Sequence, residues 1–152
     1  MPIRLEYSLA AKCSPEHIWQ KFEKLEQWAW WNRVIAQTKW LNGQPWQKGS
    51  RFLLGLAQPT AINIPVEILE CAAPNKVGWV GKFWGVRGEH WFSFEAQPDG
   101  TTLMKTWEDF SGLGTLFMGN GRREGVRKSY EAWFEALKFE AEKIAREEAA
   151  RS

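Results

Sequence analysis

Apolar and polar positions change their spacing twice along this chain. Ile3, Leu5, Tyr7 and Leu9 alternate with Arg4, Glu6 and Ser8, the period-two pattern of a strand with one buried face. Ser14-Pro15-Glu16 then supplies an N-cap, a first-turn proline and an acid near the positive helix end. A helix is expected to start there and to bury Ile18, Trp19 and Phe22, with a second short helix over Leu25 to Trp31. From about Ile35 the alternation returns. Asn42-Gly43 and Lys48-Gly49 are turn pairs beside strands expected at 35–41 and 50–57. Ile62, Ile64, Val66 and Ile68 alternate through the next strand, and Val77, Trp79, Gly81 and Phe83 through the one after. His90, Phe92 and Phe94 mark one face of a further strand; Thr102, Met104, Thr106, Glu108 and Phe110 mark one face of the last. Beyond a glycine-rich bend, Val126, Tyr130, Trp133, Phe134, Leu137, Ala141 and Ile144 recur at helical spacing, which predicts one helix over about 122–148.

Strands joined by short turns pair antiparallel, and a sheet with one apolar face needs a cover. The last helix is the only element long enough to provide it. The expected class is α+β: a curved antiparallel sheet of about seven strands, in the order strand, two helices, six strands, helix, wrapped on a long C-terminal helix. No repeat or linker divides the chain, so residues 1–152 are expected to form a single domain with an apolar cavity between sheet and helix.

Composition narrows the functional classes. Twenty basic against 18 acidic residues leave a formal charge of +2, which makes no electrostatic case for nucleic acid. Met1-Pro2-Ile3-Arg4-Leu5-Glu6 carries charges where a secretory leader needs its apolar run, and no stretch approaches the ~18 apolar residues of a membrane span. A soluble, cytoplasmic protein without stable membrane insertion is expected. Cys13 and Cys71 are too few for a disulfide framework. His17 follows Cys13 by four residues, but Cys13 precedes the helix cap, and neither His17 nor His90 has a ligand-spaced neighbour. No metal or cofactor is expected; Gly119-Asn120-Gly121 and Gly125 have neither the spacing nor the βαβ setting of a dinucleotide loop. Eleven tryptophans and nine phenylalanines exceed what stability alone asks of a core this size, so some are expected to line a cavity or an interface.

The hairpin Gln97-Pro98-Asp99-Gly100-Thr101 carries the sharpest local expectation. Proline, aspartate and glycine in that order suit a type I turn followed by a left-handed glycine, the three-residue loop with a bulge. Gln97 then faces Thr101, and counting back along both strands sets Phe94 opposite Met104, Phe92 opposite Thr106 and His90 opposite Glu108. A two-residue loop would slip the register by one and point His90 and Glu108 to opposite faces. With the three-residue loop the two should meet inside the fold, hydrogen-bonded or bridged by water, as a candidate acid–base pair or a pair of ligand-orienting groups. On the other face Trp91 meets Trp107, either as a cross-strand stack or as a contact for a partner, a second copy or a membrane.

Ser14-Pro15-Glu16 with Ile18-Trp19, Trp31-Asn32, Val77-x-Trp79-x-Gly81, His90-x-Phe92-x-Phe94, and Gly100-Thr101-Thr102 running into Glu108-x-Phe110-Ser111-Gly112 together resemble the START-like, birch-pollen-allergen-like superfamily (SRPBCC), in particular its polyketide cyclase/dehydrase and lipid-transport branch. The resemblance runs through nearly the whole chain. It implies a helix-grip fold whose cavity takes lipids, sterols, quinones or polyketides, in members of which only some are enzymes.

The ligand-binding residues expected on these grounds are Trp79, Phe83, His90, Phe92, Phe94, Met104, Thr106, Glu108 and Phe110 from the sheet, with Tyr130 and Phe134 from the helix. Leu113 and Phe117 join them from the apolar bend, which with Leu116, Met118 and the loops near Pro59 and Trp84-Gly85 would sit at the cavity mouth. Arg122, Arg123, Arg127 and Lys128 place four cations against the positive end of the last helix, suited to an anionic tail or headgroup or simply to solvent. Three functions remain open: binding of an apolar or amphipathic small molecule such as a lipid, isoprenoid or polyketide-like compound; a cyclase- or dehydratase-like reaction using His90 and Glu108; and a protein-interaction module, a homodimer included, using the Trp91/Trp107 face.

Overall fold

The computed structural model describes residues 2–152. Strand β1 (Ile3–Ala11) leads into α1 (Pro15–Phe22), a 3-10 turn at Leu25–Gln27 and the short α2 (Trp28–Trp31). Six strands follow: β2 (Ile35–Asn42), β3 (Arg51–Leu56), β4 (Ile62–Ala72), β5 (Lys76–Phe83), β6 (Val86–Ala96) and β7 (Thr102–Ser111). A 3-10 turn at Leu113–Phe117 precedes α3 (Asn120–Arg151). The strands form one seven-stranded antiparallel sheet in the order β1-β7-β6-β5-β4-β3-β2, closed over α3, which is the helix-grip arrangement.

Local chemistry explains the punctuation. Ser14 caps α1 as expected, and His17 completes the box: its backbone N–H reaches Ser14 Oγ, while its Nδ1 accepts from the Ser14 N–H. The other ring nitrogen of His17 lies 2.7 Å from Glu148 Oε2, tying the start of α1 to the end of α3. At the β6–β7 hairpin Gln97 N–H donates to Thr101 O, Asp99 Oδ1 accepts from the Thr101 N–H and hydroxyl, and Gly100 sits at φ +87°. That is the three-residue loop, and it fixes the pairs Phe94–Met104, Phe92–Thr106 and His90–Glu108.

The concave face is covered unequally along its length. At one end Phe22 of α1 and Trp28 of α2 press into the sheet, where Phe22 meets Phe92 at 5.1 Å and Phe94 at 5.7 Å between ring centres. Trp28 meets Phe52, Trp79 and, from α3, Trp133. Its indole N–H donates to Phe22 O at 2.7 Å, so this buried polar atom is satisfied within the plug. The heavy aromatic content is concentrated here, in a solid cluster. The other end of the grip has no such helix over it.

Candidate functional site

A cavity of about 630 Å³ occupies that uncovered end, between α3 and strands β3 to β7. Its walls are apolar: Leu54, Leu56, Ile62 and Ile64 from β3 and β4, and Phe83, Val86 and Phe110 from β5 to β7. The face of α3 that closes it repeats at helical spacing as Val126, Ser129, Tyr130 and Trp133. It opens where the β3–β4 loop at Gln58-Pro59-Thr60, the β5–β6 turn at Trp84-Gly85, the Leu113–Phe117 turn and the first turn of α3 come together.

Of the expected ligand residues, Phe83, His90, Glu108, Phe110, Phe117 and Tyr130 stand on this wall. Trp79, Phe92, Phe94, Met104, Thr106 and Phe134 do not, and here the expectation is corrected. All six are buried. Trp79, Phe92 and Phe94 pack against Phe22 of α1, which fills space that alternation alone leaves open. Phe134 packs on Phe92, Met104 pairs with Phe94, and Thr106 lies behind His90, within hydrogen-bond distance of its Nε2. Leu113 is corrected too: it is 83% exposed and stands off the cavity wall. The β3 and β4 side chains and Trp133 were missed, although their spacing already put them on the inward faces. What the pattern lacked was how far along the sheet the short helices reach.

One polar cluster interrupts the apolar wall. Tyr130 Oη–H donates to Glu108 Oε1 at 2.6 Å, and His90 Nδ1 lies 3.7 Å from the same oxygen. His90 Nε2 lies 2.7 Å from Thr106 Oγ1, which is 2.9 Å from Trp91 O. A carbonyl only accepts, so the single hydroxyl proton of Thr106 points to Trp91 O and Thr106 must accept from His90. The neutral imidazole therefore carries its proton on Nε2, and its Nδ1 lone pair faces Glu108. Burial among aromatic rings, the Phe92 ring stacked at 4.4 Å, pushes the His90 pKa down to about 3. Burial pushes Glu108 up to about 7 against the opposing pull of the Tyr130 hydrogen bond. The expected meeting of the two, by a hydrogen bond or through a water, takes the form of a contact of 3.7 Å between a neutral imidazole and a carboxyl that is half protonated near pH 7.

Glu108 has room for this because Gly88, its diagonal neighbour on β6 and the residue opposite Phe110, has no side chain. A Cβ on Gly88 would stand 3.2 Å from Glu108 Oε2. No protein group among the described residues donates to Oε2, which leaves that oxygen free to serve whatever enters the cavity. Nitrogen NMR of the His90 ring should report the Nε2–H form with no titration between about pH 5 and 8. Thr106→Val strands the imidazole N–H and should cost about 1–3 kcal/mol of stability. An Nδ1–H signal in the wild-type protein would overturn the assignment.

The Trp91 and Trp107 rings stack at 6.4 Å and 15° on the convex face, with Trp91 lying over the bare backbone of Gly78 and Lys76 Nζ 4.9 Å from its ring centre. Both are half-buried by these neighbours. Cys13 is buried with its thiol pKa pushed up to about 11, so it is unreactive at neutral pH. No helix of the described residues is long and apolar enough to cross a membrane.

Comparison with known proteins agrees with this architecture. A START superfamily protein from Mycobacterium smegmatis superposes with a TM-score of 0.76 at 14% identity, covering 93% of this chain and 98% of that one. The Zhui aromatase/cyclase from Streptomyces sp. R1128 gives 0.78 at 12% identity, over 95% of this chain and 96% of that one. The protein Ara h 8.0201 gives 0.74 at 12% identity, over 93% and 98%. At such identities the likeness is one of fold. No curated protein matches the sequence. Residues 2–142 match the family described as polyketide cyclase/dehydrase and lipid transport, and the chain belongs to that family.

Proposed function

We propose that this protein binds an apolar or amphipathic small molecule whose body fills the cavity and whose oxygen meets Glu108. The observation that carries the reading is a space of about 630 Å³, within the ~300–1,000 Å³ usual for small-molecule sites, walled mainly by aliphatic and aromatic side chains with the Glu108 cluster in it. Below pH 7 the free Glu108 oxygen offers a hydroxyl to a carbonyl or ether, and Tyr130 holds the carboxyl in place. Native mass spectrometry of protein purified without detergent, followed by organic extraction, tests this and reads the oligomer mass as well. Val126→Trp puts an indole into the cavity from α3 and should abolish the ligand-bound mass while the protein stays folded. Retention of that mass would place the ligand elsewhere.

A second reading rests on the same carboxyl. A group with a pKa of about 7 can both give and take a proton at neutral pH, and His90 Nδ1 stands 3.7 Å away with its lone pair toward it. Glu108 would protonate the oxygen of a bound ketone, or remove a proton beside it, in the manner of a cyclase. Glu108→Gln retains shape and the Tyr130 contact but carries no transferable proton. If extracted ligand is turned over by the wild type and only bound by Glu108→Gln, the protein is an enzyme; if neither turns it over, it is a carrier.

A further inference from the structure

Four of the seven most exposed large apolar side chains among the described residues crowd the rim of the cavity: Trp84 (64% exposed), Leu113 (83%), Leu116 (81%) and Phe117 (78%). They come from two segments held as one surface. Gly114 N–H donates to Gly85 O at 3.0 Å, and a Cβ on Gly114 would collide with Trp84 O. Trp84 and Gly85 are the central residues of the two-residue turn between Phe83 and Val86, at φ +46° and +73°. That turn type favours asparagine or glycine at its first position, so an indole there is held at a conformational cost that turn formation does not explain.

Beside this apolar rim stands a positive one. Arg122, Arg123 and Lys128 have no carboxylate within ion-pair distance among the described residues, and Arg127 meets only Glu124, at 3.5 Å. The first turn of α3 holds no acid and its N-cap, Gly119, supplies no side chain, so the helix dipole adds to the same sign. Arg123 Nε donates to Met118 O at 2.8 Å, which leaves its charge uncompensated. Exposed Trp, Leu and Phe flanked by Arg and Lys in excess of their carboxylate partners is the composition that seats a protein in the interface of an anionic bilayer. The surface also surrounds the mouth, because Trp84, Gly114, Phe117, Met118 and Arg122 all border the cavity.

We infer that this rim docks reversibly on anionic lipid bilayers, with Leu113, Leu116, Phe117 and Trp84 entering the headgroup region and the α3 cations meeting lipid phosphates. Docking of this kind would join the cavity directly to the apolar phase, so that a water-insoluble ligand need not cross solvent. The benefit of docking, though not its measurement, rests on the cavity taking such a ligand.

Co-sedimentation with vesicles, loaded with no ligand, provides the test. The protein should bind phosphatidylcholine vesicles containing phosphatidylglycerol, bind pure phosphatidylcholine far less, and be released by raised salt. Arg123→Gln with Lys128→Gln should weaken binding roughly tenfold or more, since each cation near such a surface contributes about a fivefold factor. Leu113→Ser with Leu116→Ser, neither residue on the cavity wall, should abolish it while leaving uptake of the neutral dye N-phenyl-1-naphthylamine unchanged. Absence of binding to either vesicle overturns the inference, as does equal binding to both, or binding that survives the double leucine substitution. A dimer in vesicle-free solution that the leucine substitution dissolves would also overturn it, by assigning the patch to a second copy. Dye uptake is read separately, so failure of docking and failure of the cavity reading are distinguishable.

Discussion

Glu108→Gln should make the protein more stable at and above pH 7, by about 2–3 kcal/mol at pH 8. The carboxyl titrates at its ordinary 4.5 in the unfolded chain and at about 7 in the fold. Its contribution to stability is therefore complete below about pH 4.5 and is lost as pH rises through 7, because the native state must then hold a buried anion. A tenfold difference in proton affinity between the two states corresponds to ~1.4 kcal/mol, and water in the cavity trims the full value. Glutamine keeps an oxygen for the Tyr130 hydroxyl and has no charge to bury. His90 acts with the opposite sign: its lowered pKa favours the fold above about pH 6.5 and withdraws that support as pH falls toward 3. Between about pH 4.5 and 6.5 the two groups oppose each other in the wild type, whereas the Gln variant retains only the histidine's rise. Urea unfolding at a series of pH values should thus show the variant pulling ahead from about pH 4.5 to 7 and holding its lead above that. Ligand binding should follow the same group. An apolar ligand displaces water from Glu108 and raises its pKa further, so binding takes up a proton above pH 7 and affinity falls by up to about tenfold per pH unit there. A stability difference between variant and wild type that stays constant from pH 4 to 8 would show that Glu108 is not held protonated.

Trp28→Ala should be the most damaging single substitution in the plug, costing about 3–5 kcal/mol. The indole is fully buried, touches Phe22, Phe52, Trp79 and Trp133, and satisfies Phe22 O. For a domain of this length that is a fall in Tm of roughly 10 °C. Trp28 is not on the cavity wall, so dye uptake measured well below the new Tm should persist. A loss under about 1 kcal/mol would mean that the site collapses around the deletion or that α2 is not seated on the sheet.

The inward faces were legible from periodicity alone, because a strand places every second side chain on one side and a helix every third or fourth. The Pro98-Asp99-Gly100 loop extended this to register: its φ +87° glycine suits the three-residue loop, and every pair back to His90–Glu108 follows from it. For the same reason the acid–base candidates could be named from the chain. Their protonation could not. It depends on Phe92, Trp79 and Trp133 closing over His90, and on Thr106 lending its only proton to Trp91 O, which are contacts between residues far apart in sequence.

The division between plug and cavity shows the same limit. Trp79, Phe92 and Phe94 share the inward face with Phe83, His90 and Phe110, and nothing in the alternation separates the two groups. Local patterns along the chain were enough for the order of elements, the faces of the sheet, the register of the last hairpin and the family. Packing between distant segments was needed to set where Phe22 and Trp28 come to rest across that sheet, and so which aromatic rings became solid core and which became a wall. Periodicity encodes direction within one element, whereas a cavity is space left over between several, and its extent is set only when all of them have packed.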